Sequence, residues 1–97
     1  MAKKIVIPVK PNINVAVTQD LLGQSIRFVR TSSGLTIEDA ASLSGVSKQS
    51  FSDAEHGKSG CRLNTIIKIT KALGIKLHIE HPLLSDNVEQ EDKNEWR

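Results

Sequence analysis

Between Leu35 and Gly57 the chain reads LTIEDAASLSGVSKQSFSDAEHG, and the spacing within it leaves room for little besides two short helices meeting at a sharp glycine turn. Thr36 is an N-cap residue whose hydroxyl can accept a free backbone N–H. Asp39, three residues on, completes a capping-box-like pair, which predicts a helix starting there. Ile37, Ala40, Ala41 and Leu43 recur at helical spacing as its apolar face, with Ala40 and Ala41 small enough for a second helix to approach closely. Gly45 permits the turn, Val46 fills the corner, and Ser47 caps the second helix, with Gly57 as its C-terminal stop. The apolar face of that second helix is only Phe51 and Ala54. Lys48, Gln49, Ser50, Ser52 and Asp53 are poor material for a core, but they suit a helix that offers donors and acceptors to base edges in a DNA groove.

The flanking segments extend the helical pattern. A preceding helix is predicted from Thr18 or Gln19, with Leu22, Ile26 and Val29 as a buried stripe ending by Gly34. A following helix covers roughly Leu63 to Leu73, with Ile66, Ile67, Ile69 and Leu73 inward and Gly74 closing it. The period then changes. Ile75, Leu77 and Ile79 alternate with Lys76, His78 and Glu80, a half-buried strand whose edge needs a partner, and Pro82 stops it. Lys4 to Lys10 (KIVIPVK) reads as a second short strand, which Pro8 confines to an edge or ends. From Ser85 onward there are too few apolar residues to offset the entropy of ordering, and a flexible tail is expected. The expected organisation is an N-terminal extension over 1–17 with a short strand, one domain over 18–81, and an acidic tail over 82–97.

Ninety-seven residues allow a single domain with a modest core. Phe28, Phe51 and Trp96 are the only aromatic residues, so that core must rest on Leu, Ile, Val and Ala. The single Cys61 excludes an internal disulfide, and no Cys or His pairs stand at zinc-ligand spacing. No run approaches the roughly 20 apolar residues of a membrane span, and the apolar part of MAKKIVIPVK is too short for a signal peptide, so a cytoplasmic protein is expected. The net charge of +2 conceals an uneven distribution: residues 1–18 carry three Lys and no acid, whereas residues 82–97 carry five acids against Lys93 and Arg97. Any DNA-binding face would be a local patch, and its affinity salt-sensitive.

With these residues in view, the chain resembles the helix-turn-helix domains of phage repressors and Cro-like regulators, the Xre family. The likeness runs from about Leu22 to Gly74, through SIRFVRTSSGLT, GVSKQSFSDAEHGKSG and TIIKITKALG. It implies a mainly α, lambda-repressor-like domain of four to five helices. A short C-terminal strand would form an intermolecular dimer sheet, with a short N-terminal strand as an option. It also implies roles for residues. Lys48 and Gln49 would read bases, Lys through guanine O6 or N7 and Gln bidentately with adenine, with Ser52 and Asp53 one turn further along. Asp53 repels phosphates, so it would either accept from a cytosine amino group or hold Lys48. Ser47 and Ser50 reach phosphate oxygens in this reading, although capping alone explains Ser47. Lys58, Ser59 and Arg62 would grip the backbone from the KSGCR loop, Arg62 less securely because one extra residue stands there. Arg30 and Glu55 match a structural ion pair. The departure is Ile37, which stands where the family usually places a phosphate-binding Gln, and so weakens the expected contact.

TQDLLGQSIRFVR, KQSFSDAE, LGIKLHIE and a tail ending NEWR give the plan of the HipB-like antitoxins within this family. That resemblance implies a homodimer, paired through Ile75, Leu77 and Ile79, that represses its own operon at palindromic double-stranded DNA and binds a HipA-like kinase toxin. Half-sites would lie one helical turn apart, about 34 Å. Trp96, alone in the acidic tail, is either an anchor for the partner or an inert part of a solubilising tail. A stand-alone repressor, or a protein-binding module without DNA affinity, are the alternatives. An enzyme is not expected, nor is any cofactor or metal. His78, Glu80 and His81 resemble a fragment of a metal signature, but no Pro-Cys-x-x-Cys follows, and on a strand the two histidines would face opposite ways.

Overall fold

A computed structural model describes residues 6–84, in which four α-helices pack around one small core: α1 (Gln19–Ser32), α2 (Ile37–Ser44), α3 (Lys48–Glu55) and α4 (Leu63–Leu73). Three of the four are capped as their sequences dictate. The hydroxyls of Thr18, Thr36 and Ser47 accept from the N–H groups of Leu21, Asp39 and Ser50 at 3.0, 3.1 and 3.0 Å, which satisfies an orphan donor at each helix start. For α2 this is the Thr36 half of the expected capping box. At the turn between α2 and α3, Gly45 adopts φ 75° and lets the Val46 N–H return to the Ala41 carbonyl at 3.1 Å. Any residue with a Cβ would be strained there, so the glycine sets the angle at which α3 leaves.

The core is Ile26, Ala40, Ala41, Phe51, Ala54, Ile66 and Ile69, with Leu22, Leu35, Ile37, Val46, Cys61, Leu73 and Ile75 packed against it. Ala40 and Ala41 lie on the buried side of α2, where their small side chains allow α3 and α4 to come close. Ile37 joins this packing and is not a surface residue facing a phosphate. Two expectations fail. Leu43 is 60% exposed and Ile67 is 39% exposed. Each lies on its helix beyond the arc that the neighbouring helices cover, and α2 closes its inner face with Ser44, whose hydroxyl donates to the Ala40 carbonyl at 2.8 Å. Val29 is only half-buried, because the inward stripe of α1 runs through Gly23, Ile26 and Arg30.

Gly23 marks a close approach. A Cβ built on it would lie 2.8 Å from the Ala54 carbonyl oxygen, and nearer still to that of Glu55. Helix α1 therefore rests directly on the last turn of α3. A mid-helix Gly→Ala change ordinarily gains about 1 kcal/mol from helix propensity. Here Gly23→Ala is expected to reverse that sign and lower stability by about 1–3 kcal/mol, because two backbone carbonyls must move aside. A melting temperature above that of the unsubstituted protein would contradict the contact.

No strand occurs among the described residues. Of the N-terminal candidate, Lys4 and Ile5 lie outside the described residues and residues 6–10 are irregular; Pro8 lacks an N–H, and no strand lies alongside among the described residues. Residues 75–81 likewise have no ladder among the described residues. Pro82–Leu84 forms a single 3₁₀ turn, in which the Leu84 N–H donates to the His81 carbonyl (2.8 Å) and the Leu83 N–H to His81 Nδ1 (3.0 Å). His81 is thus occupied in capping a turn. Residues 85–97, including Trp96, lie outside the described residues. Among the described residues no helix is long and apolar enough to cross a membrane, and no group of three or more His, Cys, Asp or Glu side chains is placed to hold a metal ion.

Candidate nucleic-acid interface

Helix α3 divides cleanly into two faces. Phe51, Ala54 and Glu55 are buried, whereas Lys48 and Gln49 are exposed and Ser52 and Asp53 half-exposed on the other side. The inner face is held by the Phe51 ring in the core and by an ion pair at the last turn. Arg30 on α1 donates from Nε and Nη2 to the two carboxylate oxygens of Glu55, the latter at 3.3 Å, and from Nη1 to the Leu35 carbonyl at 2.8 Å. One guanidinium therefore ties α1, the α1–α2 loop and α3 together with both charges out of water.

The sequence-derived contact residues fall into two groups. Lys48, Gln49, Ser52 and Asp53 lie together on the outer side of α3. Lys58, Ser59 and Arg62 lie in the loop that follows, all exposed, with Arg62 at the N-cap of α4 and no side-chain cap there. Ser47 is committed to the fold: its hydroxyl accepts from the Ser50 N–H and donates to Ser50 Oγ at 2.9 Å. Ser50 keeps its own hydroxyl hydrogen for an outside acceptor. Of the dimerisation candidates, Ile75 packs against the core and donates its N–H to the Thr70 carbonyl at 2.8 Å, while Leu77 and Ile79 are 45% and 82% exposed.

Asp53 does not hold Lys48. Its Oδ1 accepts from Gln49 Nε2 at 2.9 Å and lies 3.5 Å from Lys58 Nζ. One carboxylate thus joins an expected base reader to an expected phosphate clamp. Sequence reasoning also missed Gln19, whose Nε2 donates to the Lys58 carbonyl at 3.2 Å across 39 residues of chain. With the Lys58 N–H donating to the Asp53 carbonyl at 3.1 Å, the backbone of Lys58 is fixed from both α1 and α3. No sequence spacing reports a contact of that range. The arrangement is a polar helix face flanked by a braced cation, a mixed patch of Lys48, Gln49, Ser52, Asp53 and Lys58 and not a carpet of positive charge.

A family model described as a helix-turn-helix domain matches residues 21–81. No curated protein matches the chain in sequence. Among solved structures, a chain of the HipA–HipB–O2–O3 complex superposes with a TM-score of 0.64 at 20% identity, covering 72% of this chain and 99% of that one. The restriction-modification controller protein C.AhdI from Aeromonas hydrophila is 34% identical with a TM-score of 0.54, over 60% of this chain and 88% of that one. The clp gene regulator ClgR from C. glutamicum is 26% identical with a TM-score of 0.54, over 64% and 80%.

Proposed function

We propose, from the premise that this chain belongs to the helix-turn-helix domain family, that it is a sequence-specific DNA-binding repressor acting as a homodimer, and that it serves as an antitoxin to a HipA-like kinase. The observation that carries the DNA-binding reading is the outward polar face of α3, clamped from behind by Phe51 and by the Arg30–Glu55 pair. A helix of that kind inserts its first turns into a major groove, with the following loop on the phosphates. One such helix specifies only a few base pairs. A two-fold dimer supplies a second, and the exposed Leu77 and Ile79 are suited to pairing residues 75–81 with the same segment of another copy, giving palindromic half-sites about 34 Å apart. The likeness to a chain of the HipA–HipB–O2–O3 complex supports the antitoxin assignment. The organisation that follows is an extension over 1–17, a DNA-binding and dimerisation domain over 18–81, and an acidic tail over 82–97 with Trp96 as the candidate toxin anchor.

A mobility-shift assay with the DNA upstream of the coding sequence tests the first part, and absence of any sequence-specific shift by dimeric protein at low salt would remove it. Co-purification from the native operon tests the second, since a stand-alone repressor would come away without a kinase. Readers and clamps are separable. Gln49→Ala and Lys48→Ala are expected to lower the preference for the operator over random DNA, by about 1–3 kcal/mol for a lost bidentate contact. Lys58→Ala should weaken both similarly and reduce the salt slope by roughly one. Filter binding over a salt series distinguishes the two patterns, and identical behaviour of the three variants would refute the division.

A further inference from the structure

The geometry points to Asp53 as a positioning residue: it fixes the orientation of the Gln49 amide so that α3 selects adenine, and Lys58 neutralises the charge this requires. The inference rests on the DNA-binding reading. A glutamine amide can present its oxygen and nitrogen in either order, and the two orders read different base edges. In α3 the Gln49 Nε2 donates to Asp53 Oδ1 at 2.9 Å, one helical turn on. Reversing the amide would set its oxygen against a carboxylate oxygen. One amide N–H is therefore spent on Asp53. What remains is the amide oxygen and the second N–H, an acceptor–donor pair that matches adenine N6–H and N7.

A bare carboxylate beside DNA phosphates would repel them. Asp53 Oδ1 lies 3.5 Å from Lys58 Nζ, and Lys58 is kept near by its own backbone, whose N–H donates to the Asp53 carbonyl at 3.1 Å and whose carbonyl accepts from Gln19 Nε2 at 3.2 Å. These bonds fix the backbone from which the Lys58 side chain reaches the carboxylate; the ion pair itself is exposed and weak alone. Local dehydration in a groove strengthens both contacts on Asp53 at the moment of binding. This assigns Asp53 an indirect part in specificity, where sequence reasoning offered direct contact with cytosine or a bond to Lys48.

The test begins with full-length protein selecting sites from a random duplex pool. Failure of the unsubstituted protein to enrich any sequence would defeat the DNA-binding reading itself, and the inference with it. With a selected site, Asp53→Ala, Asp53→Asn, Gln49→Ala and the double variant Gln49→Ala/Asp53→Ala are titrated against that duplex and against single base-pair replacements. Asp53→Ala is expected to reduce discrimination at the adenine position roughly tenfold, within the range of one bidentate pair. Asp53→Asn, which keeps an oxygen acceptor for the amide, should retain that discrimination while binding random DNA more tightly. In the Gln49→Ala background, Asp53→Ala should change the ratio no further. An equal loss in that background, or a loss at a cytosine position that Asn does not rescue, would show that Asp53 touches a base directly. Unchanged discrimination in Asp53→Ala, with Gln49→Ala defective, would show that the amide needs no orienting, and overturns the inference equally. Thermal melting of each variant accompanies the titrations, and because these side chains are outside the core the melting temperatures should agree.

Discussion

Glu55→Ala is expected to remove about 3–5 kcal/mol of folding stability, because it leaves the Arg30 guanidinium buried and without its anion. The Arg30 and Glu55 side chains retain only 10% and 3% of their exposure, so neither solvent nor salt can substitute for the missing partner. At roughly 0.05–0.15 kcal/mol per residue, a domain of this size holds something like 3–9 kcal/mol in total, so the variant would lose about half or more of its stability. Replacing both partners, Arg30→Met with Glu55→Leu, removes both desolvation penalties and should recover most of that loss, less the Leu35 carbonyl that Arg30 Nη1 now satisfies. Urea denaturation followed by circular dichroism measures all three proteins. A loss below 1 kcal/mol in Glu55→Ala would mean that water reaches the pair, and that α3 is held in place by apolar packing alone.

The consequence for function lies in where the pair sits. It joins the last turn of α1 to the last turn of the helix that carries Lys48 and Gln49, so it sets the orientation of the readers as well as adding stability. The pair came from the family resemblance, which aligned Arg30 and Glu55 with a structural ion pair, and not from spacing, since 25 residues separate the two. The caps of α2 and α3 were legible from local sequence: Thr36 and Ser47 act on N–H groups three residues away, and a local rule needs only local sequence. Leu43 and Ile67 were misplaced because periodicity marks an apolar arc but not its width, which depends on how far neighbouring helices extend. The alternation of Ile75, Leu77 and Ile79 predicts a strand, but a ladder requires a second strand, and none lies beside this segment among the described residues. For Asp53 the sequence offered a cytosine amino group or Lys48, five residues back, while a helix brings residues four apart together, and Gln49 is that neighbour. The brace from Gln19 to Lys58 was beyond any local rule.

Phe51→Ala should be as damaging as the loss of Glu55, by a different route. Phe51 is fully buried among Ile26, Ala40, Ala41, Ala54, Ile66 and Ile69, and is one of only three aromatic residues in the chain. Truncating such a ring costs about 3–5 kcal/mol through lost burial and the cavity left behind. The small alanines around it have no side-chain length with which to fill that space. Phe51→Leu keeps much of the volume and should cost less, leaving a folded protein in which α3 still points outward. Ser52→Ala, one position along but on the outer face, should change stability by no more than about 0.5 kcal/mol. Calorimetric melting of the three variants checks this order, and a melting temperature for Phe51→Ala within a few degrees of the unsubstituted protein would disprove it. The order matters for every binding experiment on α3. If inner-face and outer-face substitutions separate this way, a variant at Lys48 or Gln49 that binds DNA poorly at an unchanged melting temperature has lost chemistry at the base edge. A variant at Phe51 that binds poorly has lost the helix that delivers it.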